Sequence, residues 1–267
     1  MILTPPSSAG PARHVALIAD GNGRWAQARN EPPLAGHEAG AATLSARIRD
    51  AIDFGIRQLT VYSFSTENWS RPATEVHGLL SMLTDRLTSE TPALRKDGVQ
   101  IRFVGRLDGL PDPLVQRMRW SREQTQANTT MTLFIALNYG ARAEILSAAR
   151  RFTGGGEAAF RRLLYDPDMH DPEVVIRTGG ERRLSNYLLW QAAEAELVFR
   201  DELWPDFSRT DFVESLEACS PQPTDMDLPG RSDPGNHCSL SSSVNVRAQH
   251  AREAPHPRNP AKTASRS

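Results

Sequence analysis

The chain is poor in cysteine, in long apolar runs and in net charge, and each shortage excludes a class of protein. Cysteine occurs only at Cys219 and Cys238 in 267 residues. That pair builds neither a disulfide framework nor a zinc site, and points to a reducing compartment, the cytoplasm. No apolar run reaches the ~20 residues of a membrane span, and Met1–His14 lacks the apolar centre of a secretory signal. The 31 basic and 32 acidic side chains leave a net charge of −1, which gives no basic field for nucleic acid. There is also no H-E-x-x-H, no G-x-S-x-G and no Cys/His cluster.

Large apolar side chains are scarce at both ends. Residues 1–13 are rich in Pro, Ser and Ala, and residues 220–267 turn to Pro, Ser, Asp, Asn, Arg and Gly. Such segments bury too little surface to offset chain entropy, so both are expected to be disordered. The folded domain is then 14–219, enough for one sizeable core. Strands are expected at His14–Ala19, Gln58–Phe64, Val99–Val104, Met131–Leu137 and Glu173–Ile176, with a weaker one at Glu196–Phe199. Helical patterns lie near Ala39–Phe54, Pro72–Lys96, Asp112–Gln126, Arg142–Phe152, Glu157–Tyr165, Ser185–Ala195 and Thr210–Ala218. This alternation predicts an α/β fold: a single domain with a mostly parallel sheet covered by helices on both faces.

The run Asp20-Gly21-Asn22-Gly23-Arg24-Trp25-Ala26 directly follows the apolar Val15–Ala19. Glycines let backbone N–H groups approach an anion, and arginine forks onto phosphate oxygens. A carboxylate beside a phosphate repels it unless a cation lies between, so Asp20 reads as a Mg²⁺ ligand, with substrate phosphates supplying further oxygens. The run is not a Walker A loop, for no Lys-Ser or Lys-Thr follows, and Ala26 replaces the third glycine of G-x-G-x-x-G. A simple turn built from Asp, Asn and Gly is the alternative reading of these residues alone.

Three further polar loops follow strands: Ser65–Arg71, Asn138–Arg142 and Arg177–Asn186. Ligands of open parallel sheets bind outside the carboxyl ends of the strands, so these loops are expected to meet the Asp20 loop at one rim. On the helix expected at Pro72–Lys96, Val76, Leu79, Leu80, Leu83 and Leu87 repeat at helical spacing with Met82 beside them. The stripe is either core packing or the wall of an apolar cavity next to the rim; both need the same residues. Ser63 is small and near the second loop, which leaves room for a long chain. His37, in Gly36-His37, reads either as a hydrogen-bond partner of a phosphate oxygen or as a helix-start residue, whereas His77 and His170 have no partner at ligand spacing.

The stretches HVALIADGNGRWA, GHEAGA, LTVYSFSTENWSRP, ALNYGAR, VVIRTGGERRLSNYLLWQAAEAELVF and LWPDF together resemble the cis-prenyltransferase family, of the undecaprenyl diphosphate synthase type, over roughly residues 14–216. The resemblance implies a Mg²⁺-dependent, usually homodimeric enzyme that condenses isopentenyl diphosphate onto an allylic diphosphate with cis geometry, beside the membrane that takes up a long product. It gives Asp20 the role of carrying the metal to the allylic diphosphate, and makes Gly21, Asn22, Gly23 and Arg24 the phosphate cradle, with Trp25 and His37 as neighbouring contacts. Ser65, Thr66, Glu67, Trp69 and Arg71 fall on the second loop, and Asn68 on the position to which the family's proton abstraction is assigned. Arg177, Arg183, Leu184 and Ser185 fall on the isopentenyl diphosphate site, and Glu196 on a second metal-associated carboxylate. A neutral amide is a poor base, so the departing diphosphate or a water is expected to share the proton transfer with Asn68.

Two positions depart from the family pattern. Pro33 stands four residues before His37, where the family commonly has an arginine, and no Arg-x-Gly follows Leu216 to complete a neighbouring subunit's site. Both changes remove phosphate contacts and favour a catalytically impaired partner subunit. The retained Asp20, Asn68, Arg177, Arg183 and Glu196 favour the enzyme. A short-chain or irregular prenyl diphosphate synthase is the third reading, because the motifs do not set product length.

Overall fold

A computed structural model of the chain describes residues 12–218. The expected tail and residues 1–11 lie outside the described residues. Arg13, expected to be disordered, is tied down: its carbonyl accepts from the backbone N–H groups of Arg57 and Gln58, and its own N–H donates to Glu173.

Six strands form one sheet in the order β3-β4-β2-β1-β5-β6, all neighbours parallel. They are β1 (His14–Ile18), β2 (Gln58–Ser65), β3 (Val99–Val104), β4 (Met131–Tyr139), β5 (Val174–Arg177) and β6 (Glu196–Phe199). The central strand β1 is buried throughout, because successive side chains feed two cores. Val15 and Leu17 join Ile48, Phe54, Trp204 and Phe212 on one face, while Ala16 and Ile18 join Phe134, Tyr139 and Tyr187 on the other. A third cluster, around Phe64, Leu80, Leu114 and Leu137, packs two long helices onto the β2–β4 side.

The helices are α1 (Asn22–Gln27), α2 (Pro33–Asp53), α3 (Ala73–Lys96), α4 (Asp112–Thr125), α5 (Ala141–Ala149), α6 (Gly156–Arg161) and α7 (Arg209–Glu217). Helix α2 starts six residues before the expected Ala39, because Pro33 at its first position needs no N–H partner and already has a helical φ. It lies hard against α1: a Cβ on Gly36 would sit 2.0 Å from the Asn22 carbonyl oxygen, and one on Gly40 2.3 Å from the Asn22 side-chain oxygen.

Two expected helices change. The one at Glu157–Tyr165 shortens to α6. The one at Ser185–Ala195 is a chain of turns, despite the helix-forming Leu188–Ala195. Ser185, Asn186 and Leu188 have φ of 51°, 61° and 44°, a left-handed backbone that no α-helix accepts. Tertiary demands override propensity here: Tyr187 and Leu188 are wholly buried, and the Asn186 carbonyl accepts the Ala141 N–H at the start of α5.

Candidate active site

The parallel register fixes the centre of the rim. Ile18 pairs with Arg177, which sets Asp20 beside Thr178. The Asp20 N–H donates to Thr178 Oγ1 at 3.0 Å, and that hydroxyl donates back to the Asp20 carbonyl at 2.8 Å. The Trp204 N–H donates to the same carbonyl at 3.0 Å. With its backbone held three times, Asp20 presents a carboxylate whose side chain is 32% exposed, against 5% for Arg177. Arg177 Nη2 donates to Asp20 Oδ2 at 2.8 Å, and Arg24 lies 3.6 Å from Oδ1. The other arm of Arg177 donates to Ser185 Oγ at 2.6 Å and to the Arg183 carbonyl, while its buried Nε has no partner. Gly179, at φ 86°, lets the fifth loop approach Arg24; a Cβ there would lie 2.6 Å from the guanidinium.

Two cavities share this carboxylate. One, of about 680 Å³, is lined by Asp20, Gly21, Asn22, Gly23, Arg24, Pro33, His37 and Arg71. The other, of about 610 Å³, takes in Asp20, Asn22, His37, Ser65, Glu67, Asn68, Arg71, Arg177, Arg183 and Ser185. Of the residues singled out from sequence, thirteen therefore meet at one rim built by four loops. The second cavity continues into a smaller apolar one of about 80 Å³, with Ala41, Leu44, Ser63, Met82 and Leu83 lining both. The α3 stripe thus does both jobs considered for it: Val76, Leu79, Leu80 and Leu87 are core, while Met82 and Leu83 wall the cavity.

Five singled-out residues are not brought there. Trp25 turns away on α1: its Nε1 donates to Asp206 at 2.8 Å, and the Arg29 guanidinium lies 3.8 Å over its ring. Trp69 packs edge-on against Phe64 and donates to Asn138 Oδ1 at 2.8 Å. Thr66 donates to Glu67, and Leu184 packs on the core cluster around Tyr187. Glu196 is exposed at the first position of β6, opposite Val174, whereas Phe199 is the residue opposite Arg177. It stands about 10 Å below the rim at strand rise, so this chain does not bring it to Asp20. Among the described residues no three His, Cys, Asp or Glu cluster as a metal cage.

The site's protonation states follow from its packing. Burial, with the Arg71 cation second, lowers the His37 pKa to about 4, so the imidazole beside the cradle is neutral. Burial pushes the Glu67 carboxyl up, but hydrogen bonds from Asn186, its own backbone, Ser65 and Thr66 outweigh it and leave the group below its ordinary value. Asn68 is committed through its carbonyl, which accepts the Ser65 N–H at 3.0 Å in a reciprocal cap of the short 3-10 helix Thr66–Ser70. Its amide nitrogen, a donor only, is what remains for a ligand.

Sequence reasoning did not single out Tyr62, Arg142 or Asn186, all of which line the second rim cavity. Tyr62 stacks on Tyr187, with ring centroids 4.4 Å apart, and donates to the Tyr139 carbonyl; burial raises its pKa further above the ordinary value. Asn186 joins three loops: its Nδ2 donates to Glu67 at 2.8 Å, and its Oδ1 accepts from the Arg142 N–H at 2.9 Å. Arg142 and Asn186 both end loops marked in the sequence, Asn138–Arg142 and Arg177–Asn186, but nothing there singled out either residue.

Residues 18–222 match the family model described as "Putative undecaprenyl diphosphate synthase". The chain belongs to this family. It is 44% identical over 217 residues to an isoprenyl transferase of Thermotoga maritima, covering 78% of this chain and 93% of that relative. It is equally identical over 218 residues to the Micrococcus luteus ditrans,polycis-undecaprenyl-diphosphate synthase specific for (2E,6E)-farnesyl diphosphate, covering 78% and 86%. Among solved structures, lavandulyl diphosphate synthase from Lavandula x intermedia in complex with dimethylallyl diphosphate superposes with a TM-score of 0.75 at 31% identity, covering 78% of this chain and 95% of that one. The expected fold and family are thereby established, and the chain is an isoprenyl transferase, an enzyme that transfers prenyl groups. Among the described residues no helix is long and apolar enough to cross a membrane.

Proposed function

We propose that this isoprenyl transferase is a Mg²⁺-dependent cis-prenyltransferase that condenses isopentenyl diphosphate onto an allylic diphosphate and releases a linear polyprenyl diphosphate. The observation that carries the reading is the pairing of Asp20 with Arg177 at the meeting point of two polar cavities, one of which runs into an apolar cavity. Two diphosphates and one hydrocarbon tail are the ligand set that such a surface suits. The donor set fits magnesium: one part-exposed carboxylate, no protein cage among the described residues, and room for substrate phosphates to complete the shell. When bound there, the metal supplies Lewis-acid stabilisation of the charge that gathers on the leaving diphosphate.

The residues divide the remaining work. Gly21, Gly23 and Arg24 hold the allylic diphosphate, with His37, neutral, sharing a hydrogen bond without adding charge. Arg177, Arg183 and Ser185 fix the second diphosphate, which orients the homoallylic double bond toward the allylic carbon. Asn68, with its carbonyl already occupied, orients a phosphate through its N–H₂, and the proton lost from the new centre goes to diphosphate or water. Met82 and Leu83 exclude water around the growing tail. The enzyme acts in the cytoplasm as a homodimer, at the surface of the membrane that receives its product.

Purified protein incubated with labelled isopentenyl diphosphate, geranyl or farnesyl diphosphate and Mg²⁺ is expected to yield head-to-tail cis products resolved by chromatography. Branched or cyclic products would make it an irregular synthase. No product with either primer would leave only the partner-subunit reading.

A further inference from the structure

Four arginines line the second rim cavity, and three of them face a carboxylate: Arg71 with Glu75, Arg177 with Asp20, and Arg183 with Glu181. Arg142 has no ion pair among the described residues, and its side chain is exposed to the cavity. An incoming anion meets a free guanidinium there, with no internal pair to break. The backbone that carries it is anchored: the Arg142 N–H donates to Asn186 Oδ1 at 2.9 Å, and the preceding Ala141 N–H donates to the Asn186 carbonyl at 2.8 Å. Asn186 thus caps the start of α5 from another loop, where Gly140 offers no side chain to do so. The fit is close, since a Cβ on Gly140 would lie 2.7 Å from Asn186 Nδ2. Asn186 directly follows Ser185, the acceptor of Arg177.

We infer that Arg142 is a diphosphate-binding residue of the isopentenyl diphosphate side, and that Asn186 is the positioning residue that sets it. The assignment to that side comes from the linings: Arg142 shares the second rim cavity with Arg177, Arg183 and Ser185, and is absent from the cavity of Gly21, Gly23 and Arg24. The inference rests on the diphosphate reading of the rim proposed above. Arg142 adds a charge-assisted hydrogen bond to the ligand, and Asn186 acts on the ligand only through Arg142 and Ser185.

The test is calorimetric titration of isopentenyl diphosphate with Mg²⁺ and no allylic primer, so that no turnover occurs, together with KM values for both substrates. Arg142→Gln is expected to weaken isopentenyl diphosphate about tenfold, with the allylic KM within about twofold of the parent and the melting temperature unchanged. Arg142→Lys should recover part of the loss. Asn186→Ala should weaken the same ligand, and in an Arg142→Gln background it should add less than it does alone. Arg177→Gln is the control. If it weakens binding while Arg142→Gln does not, the Arg142 inference is overturned and the rim reading stands. If neither variant weakens binding, the rim reading itself fails. Equal weakening of both substrates by Arg142→Gln would overturn the assignment to one side.

Discussion

The two ends of the sheet use polar residues in opposite ways. At the amino ends of the inner strands β1 and β2 the buried polar groups are answered within the fold. His14 Nδ1 lies 2.7 Å from the His170 carbonyl and Nε2 2.7 Å from Thr60 Oγ1; Gln58 donates to the Asp168 carbonyl and accepts the His170 N–H. At the carboxyl ends the pairing among the described residues is incomplete: Arg142 lacks a carboxylate, Arg177 Nε lacks an acceptor, and Asp20 remains a third exposed. Buried polar groups that satisfy one another specify a structure. Groups left in excess around a cavity are available to a ligand. The same residue types therefore read as scaffold at one end and as site at the other.

The largest effect that would break this contrast is expected at Asp20. Asp20→Ala should lower turnover at saturating Mg²⁺ by about 10³-fold or more, the size of several kcal/mol of lost charge stabilisation, with the thermal midpoint close to the parent's. Near-parental kcat would place Asp20 among the scaffold residues. His14 is the counterpart. Its pKa is lowered to about 4 by burial, from 6.5, so it is neutral when folded and takes a proton more readily when unfolded. The stability it contributes is complete above pH ~6.5 and is lost as the pH falls toward 4, about 3 kcal/mol in all. His37, shifted the same way, adds to that slope. Urea midpoints at pH 7.5 and 4.5 should show the decline, and His14→Asn should flatten part of it while sparing both KM values at pH 7.5; a changed KM would sink the division into two ends. The smallest effect sharpens the comparison. Pro33 lines the cradle cavity at the first position of α2, where an N–H needs no partner. Pro33→Arg is therefore tolerated by the backbone and should tighten the allylic diphosphate by about 1 kcal/mol, read as its KM. An unchanged KM in a stable variant would mean that the cradle has no vacancy for a further cation.

Much of the architecture was legible because strands buried on both faces advertise themselves as short apolar runs, as Val15–Ile18 and Val174–Ile176 do. The loops at their carboxyl ends were legible because metal and phosphate chemistry restricts residue types, so Asp20, Arg24 and Arg177 stood out. What the sequence did not show was direction. Trp25 and Trp69 share motifs with site residues but turn to Asp206 and Asn138, because an indole N–H seeks the nearest acceptor. Asn186 closed a marked loop but was not singled out, for the opposite reason: its value lies in the loops that it joins, at separations of 119 and 44 residues. The segment after it looked helical by composition, and only its contacts with α5 and the core forbid that.

Gly36 and Gly40, one helical turn apart on α2, rest on Asn22 with no side chain between. Position there passes from the α2 main chain to the Asn22 carbonyl at Gly36 and to the Asn22 side chain at Gly40, so the cradle has little slack with which to absorb an error. Any side chain at either glycine becomes a wedge that displaces the cradle from Asp20 by a fraction of a methyl group's width or more. Geometry at the reacting atoms is far less tolerant of such a shift than folding is. These two positions therefore behave as the machine's alignment pins: filling Gly36 strains the cradle alone, whereas filling Gly40 also presses on the core residue Trp204.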